Sequence, residues 1–362
     1  MKKYKMLPLV IAVFMALFMT SCGAADKYKN LDENKITIIA TLFPQYDFAR
    51  QIAGDNANVV LLLSPGVESH SFDPSPTDII AIQEADIFLY TGPYMESWAA
   101  DVIEGIESDT RIVDLSAHVP LVKQEDIEKE YEEAHAGHNH GADEACDEAE
   151  AEELAQNSGH EQEGVHENEH DHSHVHSHDH DHTYDPHIWT NPVFAKIMVE
   201  DIAEAMIACD PEHAAEYEQN AEAYLEELDR LDEEIRTAVE GAERQELFFG
   251  GRFAMYYFTK EYGLTYDAVY DSCSSETEPS VQSVMHVIEE MKEHDIPVIY
   301  YEELVDPRIA RTIAEEIDCE MLLWHSCHSV TKKELEAGVT YLDLMWKNLE
   351  NLKVGLGECM TK

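Results

Sequence analysis

Positive charge is scarce in this sequence. Its 362 residues include 24 Lys and Arg against 75 Asp and Glu, which gives a formal net charge of −51. A balance of this kind repels nucleic acid and anionic lipid. Nucleic-acid binding is therefore excluded, and cations are the natural partners.

Several other features are also missing. The chain has seven cysteines, and the six that follow Cys22 are too few and too scattered for a small fold built on disulfide bonds, although one or two bridges can form outside the cell. After the first twenty residues, no apolar run is long enough to cross a membrane. The HExxH pattern occurs once, at 166–170, in an acidic stretch with no predicted helix, and there is no nucleophile elbow, so the sequence does not predict an enzyme.

Histidine, in contrast, is concentrated in one place. Residues 134–183 contain twelve of the twenty histidines, and residues 125–182 hold twenty carboxylates against the single Lys129. The segment ends in HDHSHVHSHDHDH and has too little apolar surface to offset the entropy of ordering it, which predicts an unpacked loop over 121–183. Imidazole nitrogens suit zinc, nickel and copper. An acidic solubilising linker is the alternative, but it does not explain histidine at every second position.

The N-terminus predicts export. Three lysines within the first five residues precede thirteen apolar residues at 7–19, too few to span a bilayer, and then the tetrad Met19-Thr20-Ser21-Cys22. The tetrad resembles a bacterial lipobox, which implies a signal peptide over 1–21, lipidation of Cys22 and a tether over 22–34. The alternative is an ordinary secretory signal that leaves Cys22 unmodified.

Short β-rich runs alternate with helical patterns along the rest of the chain. This alternation predicts an α/β fold of two similar lobes with parallel sheets. The predicted strands are 36–43, 59–64, 87–90 and 112–115, then 247–250, 266–270, 298–301 and 321–324. The predicted helices include 47–52, one starting at Ser75-Pro76, and 252–262, 281–294, 307–317 and 331–353.

A long helix is predicted between the lobes. Asp210 is its expected cap and Pro211 its first residue, and apolar residues recur at steps of four and three from Tyr217 to Ala238, ending before Gly241. About thirty residues make a rod of roughly 45 Å, which favours modest hinge motion over wide closure. A coiled-coil dimer seam is the alternative. The predicted divisions are an N-terminal lobe over 35–192, helices over 193–241 and a C-terminal lobe over 242–362.

Two histidines outside the His-rich segment lie in proline-rich loops next to predicted strands or helices. His70 follows the strand 59–64 within SPGVESHSFDPSPTDI, and His187 lies in DPHIWTNP, before a helix that Asn191 caps and Pro192 opens. Loops beyond the carboxyl ends of parallel strands are where α/β proteins bind ligands. Both histidines are therefore candidate metal ligands.

These segments resemble the metal-binding lipoproteins that feed ABC importers of zinc and manganese, the cluster A-I solute-binding proteins. The similarity runs through TLFPQYDFARQIAGD, GVESHSFDPSPTDI, DPHIW, YFTKEYGL, ETEPS and TKKELEAGVTYLDLMWKNLENL, and so covers nearly all of the mature chain. The resemblance implies two βα lobes joined by one long rigid helix, with a metal site in the interlobe cleft. It implies a lipid-anchored, extracytoplasmic monomer that passes metal to an importer permease and its ATPase. The His-rich segment falls where zinc-selective members carry theirs.

The resemblance also assigns ligands and shows a departure. It makes His70 and His187 the first two ligands, but the position of the family's third histidine is Arg252, which cannot ligate a cation. The loop after the last strand instead offers His325, Cys327 and His328.

We therefore predict a nitrogen core of His70, His187 and His325, with His328 or a cysteine as the fourth ligand. Nitrogen and sulfur donors favour zinc over manganese. Cys273 could add a thiolate or pair with Cys327, and Arg252 could orient Glu276 or Glu278. The alternative is that the segment HSCH, residues 325–328, only packs its loop.

Two other functions remain open from the sequence. A surface adhesin or extracellular metal buffer would need only the lipid anchor and the His-rich segment. A secreted zinc hydrolase would use similar ligands, but it would also need an open coordination position and a general base.

Overall fold

The computed structural model describes residues 27–29, 31–67, 72–135, 183–270 and 279–357. Several predicted features lie outside these ranges and stay predictions. They are the signal peptide and Cys22, His70, most of the His-rich segment, and Cys273, Glu276 and Glu278. Within the described ranges, no helix is both long and apolar enough to cross a membrane.

The N-terminal lobe is a four-stranded parallel sheet with helices packed on it. Its strand order is β2-β1-β3-β4, so the first strand lies inside the sheet. The strands are β1 (Ile36–Ala40), β2 (Ala57–Leu61), β3 (Ile87–Tyr90) and β4 (Arg111–Asp114). The helices are α1 (Phe43–Ala53), α2 (Pro76–Glu84), α3 (Ala99–Glu104) and α4 (Gln124–His135). Ser75 caps α2 in a capping box with Asp78, as the Ser-Pro pair predicts.

The C-terminal lobe repeats this arrangement with the strand order β6-β5-β7-β8. Its strands are β5 (Glu246–Phe249), β6 (Thr265–Ala268), β7 (Val298–Tyr301) and β8 (Glu320–Leu323). Its helices are α7 (Tyr256–Tyr262), α8 (Val281–Glu293), α9 (Arg308–Ile317), α10 (Lys332–Ala337) and α11 (Tyr341–Leu356). The prediction of two similar parallel α/β lobes is confirmed.

Two helices connect the lobes: α5 (Pro192–Cys209) and the long α6 (Ala214–Glu240). The 27 residues of α6 make a rod of about 40 Å, and its predicted apolar positions from Tyr217 to Ala238 are all buried. The stripe packs into the core of its own chain, against α1 of one lobe and α11 of the other, which argues against a coiled-coil seam.

The predicted start of this helix was wrong. Asp210 ends α5, since its backbone N–H donates to Met206 O, and α6 begins only after His213. The carboxylate of Asp210 accepts hydrogen bonds from the Tyr217 hydroxyl and contacts His213 Nδ1, each at 2.7 Å. Asp210 therefore links the segment between the two helices to the first turn of α6. Pro211 lies in this connecting segment and does not open α6.

The start of the predicted unpacked loop was also wrong. Helix α4 occupies residues inside it, and Lys123 pairs with Tyr184 across the base of the segment. Ile127 is buried, and the hydroxyl of Tyr131 donates to Asp267 of the C-terminal lobe at 2.6 Å. Residues four apart share one helix face, so this pair gives α4 a narrow apolar stripe against the other lobe. Composition averaged over the whole segment concealed that stripe.

The single helix predicted over 331–353 is two helices. Gly338, at φ +77°, ends α10, and Thr340 starts α11 with a capping box to Asp343. A glycine in the left-handed conformation ends a helix, and a capping threonine begins the next one.

Glu96 holds the carboxyl ends of β1 and β3 together. Its buried carboxylate accepts hydrogen bonds from the Thr41 and Thr91 hydroxyls and from the Thr91 and Gly92 N–H groups. Burial raises the pKa of Glu96 to about 7, although these donors act in the opposite direction. The folded protein therefore binds this proton more tightly than the unfolded chain does.

This raised pKa makes the stability depend on pH. Between pH 5 and pH 8 the folded state must lose the proton of Glu96, so the wild type should lose about 2 kcal/mol of stability that Glu96→Gln does not lose. Glutamine resembles the protonated acid. All other titrating groups are present in both proteins, so their contributions to the pH dependence cancel in the comparison. Chemical unfolding of both proteins at the two pH values measures the difference, and parallel pH profiles would contradict the prediction.

Candidate metal site

His187 is held in one orientation by Asp185. Its side chain is 3% exposed, and its backbone N–H and ring Nδ1 both lie 2.8 Å from Asp185 Oδ1. A carboxylate at Nδ1 fixes the proton on that nitrogen, so coordination by His187 would use Nε2. Sequence reasoning missed Asp185, although it stands two residues before the histidine in DPHIW.

The HSCH segment begins two residues after the end of β8 and is held in place by α11. Asn348 accepts a hydrogen bond from the His325 backbone N–H at 2.8 Å and donates to the His325 carbonyl at 2.7 Å. The side chain of His325 is 4% exposed, and its Nδ1 accepts the N–H of Cys327 at 3.0 Å. This part of the loop is therefore rigid and largely shielded from water.

A buried carboxylate lies beneath the same segment. Glu303 accepts hydrogen bonds from the Ser326 N–H at 2.9 Å and the Ser326 hydroxyl at 2.6 Å, and its Oε1 lies 3.5 and 3.4 Å from Nδ1 of His325 and His328. Burial raises the pKa of Glu303, but the two imidazoles and the Ser326 bonds outweigh it and hold the pKa below its usual value. Glu303 was also missed, although a polar residue two positions beyond the predicted strand 298–301 is a recognisable signal.

The two histidine loops meet across the boundary between the lobes. The indole N–H of Trp189 donates to the Ser326 carbonyl at 2.7 Å, and the hydroxyl of Tyr341 donates to the Trp189 carbonyl at 2.6 Å. The N–H of Phe43, at the start of α1, donates to the His328 carbonyl at 3.3 Å. The structure thus brings the loop of His187 together with that of His325 and His328.

Cys327 is poorly suited to be a ligand. It is 1% exposed, adopts φ +64°, and belongs to the main hydrophobic core. Burial, with Glu303 and Asp47 nearby, raises the pKa of the thiol well above its usual value. Because the thiolate is the metal-binding form, this environment favours a packing role for Cys327.

Arg252 lies in the C-terminal lobe and lines a cavity of about 250 Å³ together with Glu302 and Arg308. Across the described ranges, no three His, Cys, Asp or Glu side chains are placed to hold one metal ion. His70 and the residues 271–278 lie outside those ranges. The predicted ligand set of His70, His187, His325 and His328 therefore stays a prediction.

Two parallel βα lobes, a long helix between them and buried histidines at their boundary define a two-lobed solute-binding protein. The chain belongs to the family described as zinc-uptake complex component A, periplasmic, which matches residues 38–355.

Individual relatives support this assignment. The chain is 32% identical over 358 residues to the high-affinity zinc uptake system protein ZnuA of Bacillus subtilis (strain 168), covering 98% of each chain. It is 30% identical over 351 residues to the zinc-binding lipoprotein AdcA of Streptococcus pneumoniae, covering 96% of this chain but 60% of AdcA. The crystal structure of the Zn(II)-bound ZnuA-like domain of S. pneumoniae AdcA matches with a TM-score of 0.65 at 26% identity, covering 89% of this chain and 99% of that one.

Proposed function

We propose that this protein captures zinc outside the cytoplasmic membrane and delivers it to the permease of an ABC importer driven by its ATPase. The observation that carries the proposal is the buried junction of two histidine loops, joined by the hydrogen bond from Trp189 to Ser326. Relatives named as a zinc uptake protein and a zinc-binding lipoprotein support both the cargo and a lipid anchor at Cys22. The family is a component of an uptake complex, so we do not propose a zinc hydrolase.

The hydrogen bonds rank the candidate ligands of the C-terminal lobe. The Ser326 hydroxyl donates to Glu303 and also bonds Nδ1 of His328, so Nδ1 of His328 must donate to it. That tautomer directs the lone pair of His328 to Nε2, the nitrogen that would ligate zinc. In His325, Nδ1 accepts the Cys327 N–H, which places the proton on Nε2. His325 would have to exchange tautomers, with its Nδ1–H turning to Glu303, before it could coordinate through Nε2.

This ranking predicts unequal effects of two substitutions. His328→Ala should weaken zinc binding by about 100-fold, and His325→Ala by about 10-fold, because the first removes a ligand and the second disturbs the loop that positions it. Competition titration against a chromophoric zinc chelator measures both. A larger loss from His325→Ala would restore the order expected from the sequence, with His325 in the nitrogen core.

The zinc stoichiometry tests the proposed function directly. Deleting residues 136–182 keeps α4 and its contacts but removes eleven histidines. The full chain should bind one zinc tightly and further ions weakly, since a segment that its composition predicts to be unpacked must lose entropy to coordinate. The deletion should keep only the tight site, and loss of that site would refute a separate site between the lobes.

A cellular experiment separates transport from the alternatives. Cells that lack the protein should grow poorly under zinc limitation and recover with excess zinc. The wild type should restore growth, and the His187→Ala variant should not. Normal growth without the protein would instead favour an adhesin or a metal buffer.

A further inference from the structure

A second cavity lies between the lobes, beside the loop of His187, whose Asp185 is one of its lining residues. Its volume is about 310 Å³. Helix α4 of the N-terminal lobe forms one wall, and β6 with the residues around the start of α7 forms the other. A cavity of this size suits a small organic molecule rather than a single bare ion.

Aromatic rings dominate the walls of this cavity. Five of its lining residues are aromatic: Tyr131, Phe253, Tyr256, Tyr266 and Tyr270. Phe253 stacks on Tyr266 with ring centroids 3.6 Å apart and an interplanar angle of 12°. The hydroxyl of Tyr131 donates to Asp267 and that of Tyr256 to Glu130, neither of which is among the described residues that line the cavity. These two tyrosines therefore contribute mainly ring carbon to the walls.

The charged part of the lining is acidic. Glu128, Glu132 and Asp185 line the cavity, and its described lining residues include no Lys, Arg or His. Carboxylates attract a cation, while aromatic faces add cation–π attraction to a charge that is spread over alkyl groups. Ring carbons are not donors for a transition metal, so zinc does not account for this lining.

We propose that this cavity binds a small organic cation of the quaternary-ammonium class. The aromatic rings would surround the alkylated nitrogen, and the carboxylates of Glu128 and Glu132 would balance its charge. A ligand bound there would touch both lobes at once. The inference does not depend on zinc being the cargo of the histidine loops.

Choline and its neutral isostere, 3,3-dimethylbutan-1-ol, provide the first test. Isothermal titration calorimetry of the full chain, freed of metal with a chelator and held at physiological ionic strength, should show choline binding about tenfold or more tightly than the alcohol. Equal affinities would show only an apolar cavity and overturn the proposal. So would the absence of choline binding at millimolar concentrations.

Two matched pairs of variants locate the binding. Tyr256→Phe keeps the ring and loses only the hydroxyl bond to Glu130, so it should retain choline, whereas Tyr256→Leu should weaken choline about tenfold. Glu132→Gln and Glu133→Gln each remove one charge from exposed positions of α4, but only Glu132 lines the cavity. Glu132→Gln should weaken choline several-fold and Glu133→Gln should not. Equal effects of the two glutamine variants would show general attraction to an acidic helix and overturn the proposal, even if Tyr256→Leu fails to fold.

Discussion

Replacing His187 by alanine should weaken zinc binding by about 100-fold or more, because the substitution removes a nitrogen that the structure holds in place. The ring is buried and its Nδ1 is fixed by Asp185 at 2.8 Å, so little entropy is lost when Nε2 coordinates. Asp185→Ala should weaken zinc by about 10-fold to 100-fold, since the ring stays but its tautomer and orientation are released. Competition titration with a zinc chelator measures both affinities.

The control for this prediction is His118→Ala. His118 also contacts a carboxylate, Asp201, but its side chain is 70% exposed. Its replacement should leave the tight site unchanged. If His187→Ala and His118→Ala bind zinc equally well, His187 is not a ligand, and the tight site must be built without the DPHIW loop.

Replacing Asp47 by alanine should lower the free energy of unfolding by about 3 kcal/mol or more. This fully buried carboxylate on α1 accepts the N–H of Tyr341, the first residue of α11, at 2.6 Å, and it also bonds Arg50 at 2.6 Å. Arg50 in turn donates to the Val339 carbonyl at 2.7 Å. Alanine leaves the buried N–H of Tyr341 without its acceptor and removes the charged partner of the partly buried Arg50, which costs more than the net value of the bonds themselves.

Asp47→Asn should cost less than Asp47→Ala. Burial raises the pKa of Asp47 despite the opposing effect of Arg50, so the cost of burying this charge offsets part of what the ion pair gains. Asparagine is close to aspartate in shape, carries no charge to bury, and still offers an oxygen to Tyr341. Denaturant unfolding of the metal-free protein measures these changes, with the exposed Asp101→Ala as control. A loss from Asp47→Ala as small as that of the control would show that α11 is not anchored through this carboxylate.

The Asp47 contacts also bear on how the lobes move. The chain joins them not only through α6 but also through α11, whose first residue is fixed to α1 and whose Tyr341 hydroxyl bonds Trp189. One continuous hydrophobic core includes residues of both lobes and of α6. These connections favour the modest hinge motion expected from a stiff helix over wide closure.

The sequence by itself determined the architecture, because the signals involved are local. All eight predicted strands are present, with boundaries within three residues, since each is a short β-rich run between turn residues. The stripe from Tyr217 to Ala238 predicted the buried face of α6, since its helical period leaves one face to pack. The density of nitrogen donors at residues 325–328 also pointed to a loop that the structure places against the loop of His187.

The tertiary structure decided the features that depend on contacts between residues distant in the chain. Helix α4 is ordered because the C-terminal lobe supplies Asp267 for Tyr131 and Lys260 for Glu130, and no local pattern shows that those partners lie opposite. The same holds for the histidines. The sequence put His325 ahead of His328, but Glu303, Ser326 and the Cys327 N–H determine which ring nitrogen carries the proton in each. A lone pair is directed by the hydrogen bond on the opposite nitrogen, and that bond exists only once the chain has folded.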